Sequence, residues 1–246
     1  MHDVLILVTE KDFIKLKYCV NAVRKNLEGV NKIYCVSDIP VTDVIPELEY
    51  FLDKDVVDFN FSKLTGDPGR HKGWYRQQFI KLFQNVTSDD YVVVDSDVII
   101  NRKLVVEENN KPYFLLGNDQ RHGYYFDLMK RVFDLDRTYP HSFICEVMYM
   151  KRAIIQEMLH IYGVDKYGFF DKVVTELNAR NYSPAFSEYE FYGNFVTKYF
   201  PDAYSYKHVV SCFGAMFRLW TEIEIVDYLT KLKDADYDLI TLHSWV

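Results

Sequence analysis

The run Tyr91-Val92-Val93-Val94-Asp95-Ser96-Asp97-Val98-Ile99-Ile100 constrains the fold more than any other stretch of the chain. Val92 to Val94 are β-branched and apolar without polar alternation, which suits a strand buried on both faces, as in parallel sheets. Val4 to Val8 (VLILV) is a second such run, and KIYCVSD, ending at Ser37 and Asp38, is a third. Between VLILV and KIYCVSD, Phe13, Leu16, Val20, Val23 and Leu27 recur at three- and four-residue steps. That is one apolar helical stripe, starting near Asp12 and stopping at Gly29. Strand, helix, strand is the βαβ opening of a nucleotide-binding α/β sheet.

Residues 62–73 (SKLTGDPGRHKG) are rich in Gly, Pro and basic residues and read as a loop. GWYRQQFIKLFQN follows as a helix, with Tyr75, Phe79, Leu82 and Phe83 toward the core and Trp74, Gln77, Gln78 and Lys81 on the adjoining face. Pro112 to Asp119 and Ser142 to Met150 read as strands, the second leading into a helix through Ile154, Ile155, Met158 and Leu159. Ser187 opens a helix, with Glu190 placed to complete a capping box. The tail, DYDLITLHSWV, carries His243 and Trp245 on a last strand.

Composition removes several classes of function. A net charge of −7 argues against nucleic acid as the main partner, because phosphate backbones demand basic surface. The 4 cysteines (Cys19, Cys35, Cys145, Cys212) form no CxxC pair, which points to a reducing, cytoplasmic setting. No stretch reaches the ~18 consecutive apolar residues of a membrane span, and the apolar run near the start is too short for a signal peptide.

Asp95 and Asp97 are the polar residues that this pattern leaves unexplained. On a continuous extended chain, positions i and i+2 point to the same side. Two like charges there repel unless a cation lies between or beside them, and a divalent metal with oxygen ligands is an economical answer. The pair also closes a buried strand, and ligands of open α/β sheets bind at the carboxyl ends of strands. Asp-x-Asp recurs at Asp53/Asp55, Asp134/Asp136, Asp234/Asp236 and Asp236/Asp238, but in polar surroundings that read as solvated surface.

A buried strand ending in Asp-x-Asp after a βαβ start resembles the nucleotide-sugar glycosyltransferases of the GT-A fold. The block WYRQQFIKL ahead of VVVDSD is similar to small Asp-x-Asp glycosyltransferase domains of bacterial polysaccharide clusters and large DNA viruses. The resemblance runs from VLILVT to LHSW. It implies one domain over residues 1–246 with a Rossmann-like mixed central sheet flanked by helices, about 1–100 holding the nucleotide and about 101–246 the acceptor. It implies Mn²⁺ or Mg²⁺ bridging a UDP- or GDP-type sugar donor, held by Asp97 and His243, with Asp95 contacting the metal or the ribose. Thr9, Lys11 and Asp38, at strand exits, would meet the nucleotide, as would Trp74, Gln77, Gln78 and Lys81. Arg70, His71, Lys72 and Arg76 can add positive charge. The acceptor, a glycan or glycoconjugate hydroxyl, would lose its proton to Glu188 or, second, Glu190, although helix N-terminal acids and a capping box account for the same residues structurally. Glu146, unusual in a buried strand, would bind acceptor hydroxyls or pair with an arginine.

Two other readings share these residues. A haloacid-dehalogenase-type phosphatase would use Asp95 as nucleophile and Asp97 as general acid, but its motif normally ends the first strand. A nucleotide- or carbohydrate-binding module would keep the fold without turnover. A sugar nucleotidylyltransferase would need a glycine-rich signature that VTEKDFIK lacks.

Overall fold

The structure, a computed structural model, describes residues 1–41, 45, 48–117, 123–181, 185–216 and 218–244. Asn118, Asp119 and Trp245, expected on strands, lie outside the described residues. β1 (His2–Val8) passes through a 3-10 turn (Glu10–Asp12) to α1 (Phe13–Asn26), β2 (Val30–Ser37), β3 (Glu49–Leu52), α2 (Asp53–Val56), α3 (Gly66–Arg70) and α4 (Lys72–Phe83). Then come β4 (Asp90–Asp95), β5 (Val98–Ile100), β6 (Glu107–Glu108), β7 (Lys111–Leu116), α5 (Gly123–Phe133), β8 (Val147–Lys151), α6 (Arg152–Ile161), α7 (Lys166–Arg180) and α8 (Glu188–Tyr199). The order closes with β9 (Ser205–His208), β10 (Ser211–Met216), α9 (Glu222–Leu232) and β11 (Leu239–Ser244).

The expected α/β class and its mixed central sheet flanked by helices are what form. Five strands lie in the order β3-β2-β1-β4-β8, the first four mutually parallel and β8 antiparallel to β4. Val4 to Ile6 and Val92 to Val94 have no exposed surface, as two-sided burial demands. The chain steps outward from β1 to β2 to β3, then returns to the other side of β1 with β4. The strand order therefore reverses between β1 and β4, the kind of place where open α/β sheets leave a crevice for ligands. Two small sheets flank this edge, β10-β11-β5 and β6-β7-β9. Among the described residues, no helix is long and apolar enough to cross a membrane.

The structure departs from the sequence reading in ways that shape the edge. Residues 62–73 are not wholly loop, since α3 forms within them. The strand expected over 142–150 begins only at Val147, because Glu146 adopts φ 66°, a left-handed conformation that breaks an extended run. The capping box at α8 is half made. Ser187 Oγ accepts from the Glu190 N–H at 3.3 Å, but the Glu190 carboxylate turns instead to Ser142 and Asn194. Every residue from Glu188 to Val196 on α8 is buried. Gly193 permits this, since a Cβ there would lie 2.2 Å from the Phe143 ring.

Candidate active site at the exit edge of the central sheet

The run 91–100 is not one strand. It breaks at Ser96 and Asp97, and β5 leaves the central sheet to pair antiparallel with β11. Backbone bonds hold both sides of the break: the Asp95 N–H donates to the Glu146 carbonyl (3.0 Å) and the Leu242 N–H to the Asp97 carbonyl (2.8 Å). The expectation that Asp95 and Asp97 share one side of an extended chain is therefore corrected. Each carboxylate has its own cation.

Asp97 Oδ2 lies 2.9 Å from His243 Nδ1, a contact between residues 146 positions apart. The other ring nitrogen, Nε2, lies 3.1 Å from Glu146 Oε1. With a carboxyl group at each nitrogen, both nitrogens can donate, an arrangement that favours the imidazolium. Burial opposes that charge, but the Asp97 and Glu146 carboxylates outweigh it and push the His243 pKa up to about 10. Burial likewise opposes the charge on Asp97, yet His243 leaves its carboxyl below the usual range. Glu146 stays above its usual range because burial prevails over the imidazolium. The partner of Glu146 is thus a histidine rather than an arginine. Its left-handed backbone costs about 1–3 kcal/mol and directs its carbonyl to Asp95 while its side chain meets His243.

Asp95 faces another group. Lys81 Nζ lies 2.7 Å from Asp95 Oδ1 and 2.6 Å from Glu188 Oε1, and 4.4 Å from the centroid of Tyr189. The Tyr189 hydroxyl donates to the same Asp95 oxygen at 3.0 Å. Burial works against the Lys81 charge, but the two carboxylates overcome it and hold its pKa above the ordinary lysine value. Burial keeps the Glu188 carboxyl above its normal range, partly offset by Lys81. Lys81 and Gln78 do not lie on a solvent face of α4, since both are buried. Gln78 Oε1 accepts the Glu188 N–H at 3.1 Å, which ties α4 to the first turn of α8.

The exits of β1 and β2 supply a third group. Lys15, fully buried, donates to Asp12 Oδ1 (2.6 Å) and Ser244 Oγ (2.9 Å), and Lys11 Nζ donates to the Ser244 carbonyl at 3.1 Å. Thr9 Oγ1 donates to Asp12 Oδ2 at 3.4 Å. Thr9 and Lys11 are thereby joined to the strand that carries His243. Burial raises the Asp12 pKa, Lys15 lowers it, and the nearby charge of Asp97 raises it again. Asp38 is exposed just past β2, Trp74 is exposed against Tyr75, and Gln77 is half-buried. Beside them Asp53 pairs with Arg76 at 2.7 Å. Asp53 is only 5% exposed, so the Asp53/Asp55 pair is not wholly solvated surface.

The expected metal set is not gathered at one point. Among the described residues, no group of three or more His, Cys, Asp or Glu side chains is arranged to hold a metal ion. Asp97 and His243 are within ligand reach of each other, whereas Asp95 is neutralised by Lys81. The expected base is also otherwise occupied. Glu188 is buried in its pair with Lys81, and Glu190, with no exposed surface, accepts from Ser142 Oγ (2.5 Å) and Asn194 Nδ2 (3.2 Å). Two surface cavities of about 350 and 400 Å³ lie elsewhere, one beside the start of β2 and one between α5 and α7.

Sequence reasoning missed Asp12, Lys15, Asp53 and Tyr189. Lys15 had a signal: it adjoins Leu16 in the α1 stripe and stands three residues from Asp12, so the pair had to sit at the core boundary.

The profile of a family of unknown function, DUF6492, matches residues 1–210. Comparison with curated proteins returns no match. Among solved structures, the apo form of mouse xyloside xylosyltransferase 1 aligns over 97% of each chain, at 8% sequence identity and a TM-score of 0.45.

Proposed function

The chain belongs to DUF6492, a family of unknown function, and we propose that it is a metal-dependent glycosyltransferase moving a sugar from a nucleoside-diphosphate donor to a hydroxyl of a glycan or glycoconjugate. The observation that carries this reading is the 2.9 Å contact of Asp97 with His243, brought together across 146 positions at the point where the strand order reverses.

In this reading two side chains, Asp97 and His243, would hold Mn²⁺ or Mg²⁺. Around the edge five carboxylates (Asp12, Asp95, Asp97, Glu146, Glu188) meet two buried lysines (Lys15, Lys81) and the half-buried His243. The imidazolium between Asp97 and Glu146 marks a place where positive charge is already favoured. On deprotonation His243 becomes a nitrogen ligand beside the oxygens of Asp97, a combination suited to Mn²⁺. Bound there, the cation would offset the negative charge that develops on the leaving diphosphate.

In this reading the chain's own residues divide the remaining work. Asp95, fixed by Lys81 and Tyr189, faces the ribose. Thr9, Lys11 and Asp38 stand at the exits of β1 and β2, with Trp74 and Gln77 at the start of α4, to take the nucleotide. Glu188 positions Lys81 and hence Asp95. Glu190 anchors the segment around Ser142. Neither carboxylate on α8 is open to an acceptor hydroxyl, which withdraws the base role from both.

The phosphatase alternative needs both carboxylates free to reach one phosphoryl group, Asp95 at the phosphorus and Asp97 at the leaving oxygen. The break at Ser96 sends them to Lys81 and His243 respectively, which disfavours it. The test is release of nucleoside diphosphate from UDP- and GDP-sugars with and without Mn²⁺. Slow metal-dependent release supports the transferase. Nucleotide binding without release indicates a binding module, and release of inorganic phosphate from p-nitrophenyl phosphate indicates the phosphatase.

A further inference from the structure

Two tripeptides of the form Tyr-x-His meet ring against ring at the exit edge. Tyr139-Pro140-His141 lies on the segment that leads to β8, and Tyr206-Lys207-His208 lies on β9. On a strand, positions i and i+2 share a face, so Tyr206 and His208 project together. The Tyr139 and Tyr206 rings stack at 4.2 Å with 6° between planes, and His141 meets His208 edge-on at 4.7 Å and 89°. Phe114 and Phe143, both buried, lie beneath the tyrosines.

Three features separate this patch from ordinary core. Tyr139, His141 and Tyr206 are half-buried and His208 is exposed, so the rings reach solvent. Among the described residues neither imidazole makes a hydrogen bond or ion pair, which leaves two donors and two acceptors for a ligand if both rings are neutral. The segment beneath is held rigid. Asn194 Oδ1 accepts from the Thr138 N–H at 2.6 Å, Ser142 bonds Glu190, and Gly193 lets Phe143 pack flush on α8. Buried Glu190 and Asn194 thereby serve to fix a surface rather than to fill a core.

The position ties the patch to the candidate site. Five residues after His141 comes Glu146, which binds His243 through its side chain and Asp95 through its carbonyl. His208 pairs with Leu116 at the end of β7, and Gly117 beyond it packs against Ile144 and Cys145. One short, rigid segment thus carries both the aromatic patch and the acid that grips the imidazolium.

We propose that the two Tyr-x-His elements form an acceptor-saccharide subsite. A pyranose presents an apolar C–H face that packs on an aromatic ring, and hydroxyls around its rim that need donors and acceptors. Half-exposed tyrosines flanked by unpartnered imidazoles supply both. The assignment of this sugar as acceptor rests on the transferase reading, but binding of a sugar here does not.

The test is saturation-transfer NMR on the full chain, without metal or nucleotide. The probes are the methyl β-glycosides of glucose, galactose, N-acetylglucosamine, mannose and xylose at millimolar concentration. At least one should receive saturation on its ring protons, and the signal should fall at least 5-fold in Tyr139→Ala and in His208→Ala. His208 is exposed, so its variant keeps the fold. Nucleoside diphosphate binding with Mn²⁺ should be unchanged in both. If none of the five glycosides binds, or one binds equally well to both variants, the subsite is overturned. Glycoside binding lost as expected, in a protein that takes no nucleotide, would sink the transferase reading and leave the saccharide subsite standing.

Discussion

At the edge where β1 and β4 begin, Asp3 accepts from Asn31 Nδ2 and from the Ser88 N–H, each at 2.8 Å. Gln84, fully buried, accepts from the N–H groups of Val86 and Thr87 and donates to Thr87 Oγ1. At the edge where the same strands end, the linked groups are mostly ions: buried Lys15 and Lys81 and half-buried His243, each against carboxylates. The first edge joins groups mostly through single hydrogen bonds to backbone or amide, several within three residues. The second joins Lys81 to Glu188 across 107 positions, Asp97 to His243 across 146 and Lys11 to Ser244 across 233. A buried hydrogen-bonded amide is an inexpensive way to close a loop. Buried ion pairs add little stability over apolar packing and are often retained for another reason. The contrast sets the exit edge apart, and it is there that the proposal puts the ligand.

Lys81→Met should break this contrast most severely. It leaves buried Glu188 and half-buried Asp95 without their cation, and should lower stability by about 3–5 kcal/mol. Chemical denaturation measures this, and adding Glu188→Gln should recover part of the loss. If Lys81→Met proves neutral, the ion pair is not the anchor described. At the opposite edge, Gln84→Ala orphans the N–H groups of Val86 and Thr87 and should cost about 1–3 kcal/mol. It should leave metal-dependent nucleotide binding intact; a parallel loss of binding would blur the distinction between the edges.

An effect confined to low pH comes from His2, buried at the first edge with its ring edge-on to Tyr149 at 5.6 Å. Burial lowers its pKa to about 4 from an ordinary 6.5. The folded chain therefore refuses a proton that the unfolded chain accepts below pH 6.5. Stability should be level above that value and decline as pH falls toward 4, by on the order of 3 kcal/mol. In His2→Phe this part of the decline should vanish. An identical pH profile for parent and variant would place the titration elsewhere.

The contrast also explains what the sequence disclosed. Val4 to Val8 and Val92 to Val94 are wholly apolar, so burial on both faces and the parallel sheet could be read directly. Asp95 and Asp97 stood out because such runs leave charge no other place. Their partners could not be read that way. Lys81 read as a nucleotide contact on the flank of α4, because the acid it pairs with arrives 107 residues later. The break at Ser96 was hidden for the same reason: β5 leaves the sheet only because β11, near the other end of the chain, is there to receive it. Glu146 looked like a strand residue because local sequence does not announce a left-handed backbone imposed by bonds to Asp95 and His243. His243 was placed by resemblance rather than by its neighbours in the chain.

The central claim is that Asp97 and His243 hold a divalent cation for a nucleoside diphosphate. Isothermal titration of UDP and GDP in the presence of Mn²⁺, on the parent and on Asp97→Asn, addresses it directly. The account predicts binding by the parent and a loss of at least 100-fold in the variant, about 2.7 kcal/mol, in a variant shown by circular dichroism to be folded at the assay temperature. Equal affinity of parent and variant for either nucleotide would contradict it.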